Sequence, residues 1–209
     1  MGRVCCAVEE EAGGGVMDGP TSILDRMVRA VEKVRERLLR STAALEAAGI
    51  DYAVIGGHAV AAWVATVDET AVRNTADVDL LVRREDFDRV VVALESVGFI
   101  SRHAAGVSFF LDGPEGKFRD AVHMIFANEK VRPEYEAAAP DPSAATSFAR
   151  FRAVDLEALV IMKLTSFRDK DRTHLRDMLE IELIDESWLS RLPPPLAERL
   201  KQLIDTPEG

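Results

Sequence analysis

The chain has 209 residues, 47% of them hydrophobic and 30% charged, which fits one domain or one domain with a small helical appendage. A net charge of −10 and a pI near 5.0 exclude a generic polyanion binder and leave only a local basic surface for nucleic acid. The cysteines, Cys5 and Cys6, are adjacent and frame no disulfide scaffold, which fits the cytoplasm, and no apolar run is long enough for a membrane span or signal core.

Residues 1–19 contain Glu9-Glu10-Glu11 and Gly13-Gly14-Gly15 without helical or strand period, and read as a disordered tail. Met17 is an alternative start to Met1. Residues 20–150 read as a core domain and 151–209 as a C-terminal helical portion. Pro20-Thr21-Ser22 opens a helix that runs to about Ala48 and stops at Gly49, with Met27, Val31, Val34 and Leu38 on one stripe. Six basic residues (Arg26, Arg29, Lys33, Arg35, Arg37, Arg40) face three acids there, which suits either a solvated, salt-bridged face or an RNA-backbone contact.

Asp51 to Ile55 is a short β-rich run ending at Gly56-Gly57, and His58 to Thr66 reads as a helix of small and apolar residues. Backbone N–H groups at such a helix N-terminus, with glycines that admit close approach, suit a phosphate. Arg73-Asn74-Thr75-Ala76-Asp77 then leads into a strand over Val78 to Val82. Asp77 and Asp79 are two apart and share a face. Paired carboxylates repel unless a cation sits between them, and their hard oxygens suit Mg²⁺ or Mn²⁺. A phosphate cradle facing such a pair is equipment for metal-assisted phosphoryl or nucleotidyl transfer.

Arg84 to Val97 is an amphipathic helix, and Phe99–His103, Val107–Leu111 and Ala121–Ala127 form an antiparallel meander. Glu129 to Ala149 reads as a surface connection. Asp155 caps a helix whose stripe is Leu156, Leu159, Val160, Leu164 and Phe167. Lys163 falls in that stripe; it either snorkels to solvent or reaches into a site. Arg168 to Arg172 is a charge run in which Asp171 suits an N-cap for a helix from Arg172 to about Leu183. Asp185 caps a short helix, Pro193-Pro194-Pro195 breaks it, and Leu196, Leu200 and Leu203 mark the last helix. No internal repeat is present.

The pattern Gly56-Gly57-x-Ala59, then Arg73-x-Thr75-x-Asp77-Val78-Asp79, resembles the DNA polymerase β-like nucleotidyltransferase superfamily. Within it the chain is similar to minimal bacterial nucleotidyltransferases grouped with AbiEii-type toxins of toxin–antitoxin systems. A second match, KLTSFRDKDRTHLRD from Lys163 to Asp177, is similar to a helical K-x4-R-x-KD-x5-D segment of that group. The resemblance implies an α/β (α+β) nucleotidyltransferase fold: a mixed, mainly antiparallel sheet with helices packed on it, followed by the C-terminal helical portion. It further implies an enzyme that binds ATP or another nucleoside triphosphate and moves NMP to a hydroxyl, with Mg²⁺ or Mn²⁺ on Asp77 and Asp79. Gly56 and Gly57 would hold the β- and γ-phosphates, with His58, Arg73 and Thr75 near the cradle. Lys163, with Arg168 or Lys170, would neutralise phosphate charge. The acceptor would be an RNA 3′ end or a protein side chain, and a cognate antitoxin would be a partner.

The family's third carboxylate has no counterpart in the last meander strand, where His123 stands at the matching position and Asp120 faces the other way. His123 is either a core histidine or an active-site residue, acting as metal ligand or general base. Two alternatives follow: a degenerate relative that only binds nucleotide or a partner, and a small-molecule nucleotidyltransferase of the antibiotic-modifying type.

Overall fold

Helix α1 (Ile23–Ala47) opens on a reciprocal capping box. Ser22 Oγ accepts from the Asp25 N–H at 3.1 Å, and the Asp25 carboxylate accepts from the Ser22 N–H at 3.1 Å. The computed structural model describes residues 22–208, so the expected tail over residues 1–19, with Cys5, Cys6 and Met17, lies outside the described residues, as do Pro20 and Thr21 of the expected helix start. The helix ends at a left-handed Gly49, φ +61°. Only its second half is covered: Leu38 and Leu45 are buried, whereas Met27 is 60% and Val31 45% exposed. The expected stripe therefore exists as a face of the helix but is packed only from Val34 onward.

Seven strands form one sheet: β1 (Tyr52–Ile55), β2 (Val78–Val82), β3 (Phe99–Ala104), β4 (Val107–Asp112), β5 (Val122–Phe126), β6 (Ala145–Ser147) and β7 (Arg152–Val154), in the order β3-β4-β5-β2-β1-β7-β6. The β1–β2, β3–β4, β4–β5 and β6–β7 pairs are antiparallel, and β2–β5 and β1–β7 are parallel. The sheet is thus mixed and mainly antiparallel, as the sequence leads one to expect. The segment read as a surface connection holds β6, whose partner β7 extends the sheet beyond β1.

Helix α2 (Gly56–Val64) begins at the first glycine, two residues earlier than its composition suggests. Helix α3 (Phe87–Ser96) follows a 3₁₀ turn at Arg84–Asp86 and packs with α1. The last three helices are α4 (Leu156–Ser166), α5 (Asp169–Glu180) and α6 (Pro194–Asp205). Asp155 caps α4 by accepting from the Ala158 N–H at 2.8 Å. Helices α4 and α5 pack on α2, and Trp63 of α2 donates Nε1–H to the Val154 carbonyl of β7 at 3.0 Å. The core is continuous, from Leu45 and Tyr52 through Val54, Leu80 and Leu81 to Leu159, Leu175 and Leu200. No helix among the described residues is long and apolar enough to cross a membrane.

Candidate active site

Register places the carboxylates. Ile55, the last residue of β1, lies opposite Asp79 of β2, so the Gly56 turn meets the Asp79 side chain directly. Gly56 is left-handed, φ +67°, and a Cβ there would stand 2.9 Å from Asp79 Cγ and closer still to Oδ2. A Cβ on Gly57 would stand 2.8 Å from Thr75 Oγ1. Each glycine therefore makes room for one polar side chain of the Thr75–Asp79 segment, besides leaving backbone N–H groups open at the α2 N-terminus, which carries no side-chain cap. Neither demand is visible in the glycine pair alone.

On the other side of β2, parallel pairing sets His123 of β5 opposite Asp79. One ligand atom each from Asp77, Asp79 and His123 lie within 4.8 Å of one another, a mixed carboxylate–imidazole set that fits a divalent metal ion. His123 Nδ1 is 3.6 Å from Asp79 Oδ1, and its Nε2 is buried without a hydrogen-bond partner. The Asp79 carboxylate raises the His123 pKa, against the opposing effect of burial. Burial pushes the Asp77 carboxyl up, but Lys170, its own backbone N–H and Thr75 outweigh this and hold it below its ordinary value. Thr75 Oγ1 donates to Asp77 Oδ1 at 3.0 Å, and Lys170 Nζ reaches the same oxygen at 3.4 Å. His58, on the first turn of α2, has an unpartnered buried Nε2, and burial lowers its pKa despite the nearby Asp79 and Asp77.

The structure thus brings together Gly56, Gly57, His58, Thr75, Asp77, Asp79, His123 and Lys170. It places the other three expected site residues in different partnerships. Lys163 is 5% exposed and donates to Asp171 Oδ1 at 2.9 Å, and Arg168 Nε donates to Asp171 Oδ2 at 2.8 Å. Arg73 makes a two-pronged pair with Asp177, at 2.6 and 2.9 Å, which ties the segment before β2 to α5. Asp171 is not an N-cap: α5 starts at Asp169, and Asp171 is fully buried at its third position, accepting from Lys163, Ser166 and Arg168. Burial raises its pKa, but Arg168, Lys163 and Ser166 outweigh that and keep it well below the carboxylate range. A lysine in an apolar stripe that does not reach solvent needs a buried partner, and Asp171 is that partner.

Arg26, Arg29, Lys33 and Arg35 are exposed on α1, as a solvated face requires, and Arg37 is the exception. Its side chain is 7% exposed; Nε donates to Asp112 at 3.2 Å and Nη1 to the Ala76 carbonyl at 3.3 Å, one residue before Asp77. Beside the carboxylates lies a cavity of about 160 Å³ lined by Gly56, Asp79, Ile125, Tyr135, Met162, Lys163 and Thr165 among others.

A glycine pair at a helix N-terminus set against two strand carboxylates, on this mixed sheet, fits the nucleotidyltransferase class that the sequence resembles. Comparison with known proteins goes one step further: the chain belongs to the family described as "Uncharacterised nucleotidyltransferase", whose model matches residues 3–202, and it is an enzyme of that class. Among solved structures it is similar to an antigenic nucleotidyltransferase-like protein from Paracoccidioides brasiliensis, 16% identical, covering 84% of this chain and 89% of that one, TM-score 0.53. It is also similar to JHP933 from Helicobacter pylori, 16% identical, covering 88% and 76%, TM-score 0.50. The antibiotic-resistance factor ANT(2'')-Ia is 14% identical, covering 87% and 92%, TM-score 0.48. At these identities the likeness is one of fold. No curated protein matches the sequence.

Proposed function

We propose that the chain transfers a nucleoside monophosphate from a nucleoside triphosphate such as ATP to a hydroxyl of a macromolecule, with an RNA 3′ end as acceptor. The observation that carries the transfer chemistry is the meeting of Asp77, Asp79 and His123 with the uncapped α2 N-terminus at Gly56-Gly57. The choice of acceptor rests on the resemblance to AbiEii-type toxins, which also makes an antitoxin the expected protein partner.

Asp77, Asp79 and His123 would hold Mg²⁺ or Mn²⁺, which supplies positive charge against phosphate oxygens and lowers the pKa of an incoming hydroxyl. Gly56 and Gly57 offer backbone N–H groups and the positive end of the α2 dipole to the phosphates. Lys170 is half-exposed and already beside Asp77, so it can turn from that carboxylate to a phosphate. Arg168 extends from its anchor on Asp171 with most of its side chain in solvent, and adds a second cation nearby. Thr75 orients Asp77 from behind. Arg37 positions the strand entry by holding the Ala76 carbonyl.

The test incubates the purified chain with Mg²⁺ or Mn²⁺, each of four α-labelled NTPs and total RNA or lysate protein, with Asp77→Asn as control. Labelled RNA that disappears in the Asp77→Asn reaction supports the reading. Label on protein or on small molecules alone refutes the RNA acceptor, and label that persists with Asp77→Asn refutes the site.

A further inference from the structure

We propose that the N-terminal half of α1 docks into a groove at the α5–α6 end of a second copy of this chain, so that two copies close into a dimer across a two-fold axis. The proposal is independent of the nucleotide-transfer reading and assigns the molecule an interaction surface.

The first ten residues of α1 form an uncovered arm, about 15 Å long at 1.5 Å per residue. Ile23, Leu24, Met27, Val28 and Val31 are all exposed. At 3.6 residues per turn they share the face that Leu38 and Leu45 turn into the core, so one apolar stripe runs from the core out past the body. A contiguous apolar face left in water marks an interaction site. Arg26 and Arg35 border the stripe on its two sides, and Arg29 and Lys33 lie behind it. Among the described residues the ion pairs of α1 use Arg37 and Arg40 and none of these four.

The groove lies where α5 and α6 end together. Arg176 of α5 donates Nη2–H to the Thr206 carbonyl at 3.2 Å, which ties the two helix ends to each other. Beside them opens a cavity of about 570 Å³ whose apolar lining is Leu179, Ile184, Leu203 and Ile204. Glu180, Glu182, Asp185, Glu186 and Glu208 line it as well, and all five are exposed. The ion pairs of this region use Glu157, Asp169, Asp171, Asp177 and Asp205 instead, so among the described residues none of the five carboxylates has a cation. Like charges so close repel one another, and a cationic partner relieves that repulsion.

The two surfaces match in kind: an apolar stripe with a cationic border, and an apolar floor with an anionic rim. Charge makes a second copy the occupant. Residues 25–40 hold six basic and three acidic side chains, net +3, so the rest of a chain of net −10 carries −13. A basic arm is therefore drawn to the body of another copy. It does not lie in its own groove, and as an unbroken continuation of α1 it cannot fold back to reach it. Each copy offers one arm and one groove, so a two-fold axis satisfies both contacts at once.

The test is analytical ultracentrifugation of the full chain over a concentration series. Wild type should approach about 46 kDa, twice the 23.0 kDa of one chain. Three variants follow: Met27→Glu in the stripe, Arg26→Glu with Arg35→Glu on its border, and Glu182→Lys with Glu186→Lys on the groove rim. Every one of these positions is exposed, so thermal unfolding of the monomer should be unchanged. Each variant should weaken association by about tenfold or more, and combining the two charge reversals should recover most of that loss. Wild type that stays monomeric throughout overturns the proposal. A dimer broken by Met27→Glu but untouched by the rim reversal overturns it as well, because the arm then has another occupant. A combined variant without recovery does the same.

Discussion

Gly56→Ala isolates the contact around which the site is built. Gly56 lies in the left-handed region at φ +67°, where a side chain is disfavoured by about 1–2 kcal/mol. The new methyl would also sit 2.9 Å from Asp79 Cγ and nearer to Oδ2, so the carboxylate must swing away. Forcing a methyl into packed space adds about 1–3 kcal/mol. A total near 3 kcal/mol corresponds to a fall in Tm of about 6–12 °C for a chain of this size. Displacing Asp79 should also weaken Mn²⁺ binding by about ten- to a hundredfold, the effect expected when the support of a ligand is lost. Adding Asp79→Gly should return about 1–2 kcal/mol, because the steric part vanishes while the backbone part stays. The assay is thermal unfolding of wild type, both single variants and the double variant, with Mn²⁺ titrations alongside. A Gly56→Ala protein with unchanged Tm and unchanged Mn²⁺ affinity would refute the packing argument, and strictly additive variants would refute the contact with Asp79.

Lys163→Met should lower Tm by about 6–12 °C, since removing one partner of a buried ion pair loses roughly 3 kcal/mol; an unchanged Tm would show that Asp171 does not depend on it. His174 is buried, and its pKa falls to about 4 through burial first and then Lys163 and Lys170, so its folded value lies below its unfolded one. Its effect on stability is therefore nil above about pH 6.5 and unfavourable as pH falls from there towards 4, by about 1.4 kcal/mol per unit. His174→Gln should flatten the decline of Tm between pH 6.5 and 4.5 relative to wild type, and parallel curves would count against it. His123→Asp should raise Mg²⁺-dependent transfer relative to Mn²⁺-dependent transfer, because a carboxylate holds Mg²⁺ better than an imidazole does; wild type fully active in Mg²⁺ with no gain in the variant would assign His123 to the core.

Local patterns were the legible part of this chain. Residues 51–82 announce a strand, a glycine turn, a helix and a carboxylate strand because every cue lies within a few positions, and the antiparallel meander follows from its short connections, whereas the mixed sheet was implied only by the resemblance. Partners distant in sequence were less legible. Strands of three residues such as β6 and β7 are too short to show a period, and β7 becomes a strand by lying parallel to β1, about a hundred residues away. Composition disfavours glycine in a helix, so the true start of α2 at Gly56 shows only once Asp79 is seen to occupy the space a side chain would take. Periodicity ranks the residues of α1 by face but does not say where cover begins, so Met27 and Leu38 read alike and end up exposed and buried. Arg37 reads as one more surface charge until the Ala76 carbonyl and Asp112 are brought to it.

The two lysines of the second motif differ in what they can do, and magnitudes separate them. Lys170 pairs with Asp77 at 3.4 Å with half of its side chain in solvent, an arrangement worth at most about 1 kcal/mol. Lys163 pairs with Asp171 at 2.9 Å, both side chains almost wholly buried, and separating them would strand a carboxylate in the interior. A ligand phosphate can recruit the first for little and the second only at the expense of the α4–α5 junction. Burial also lowers the Lys163 pKa, and Asp171 only partly restores it, so the ammonium depends on the partner it already has. Lys170 is therefore favoured over Lys163 as the cation that meets the triphosphate. Lys163 is better suited to fixing Asp171, which in turn holds Ser166 and Arg168 at the turn between the helices. On this division, Lys170→Met should weaken tripolyphosphate binding with Tm nearly unchanged, the reverse of the stability loss expected for Lys163→Met, and a Lys170→Met protein that binds tripolyphosphate like wild type would return the role to Lys163.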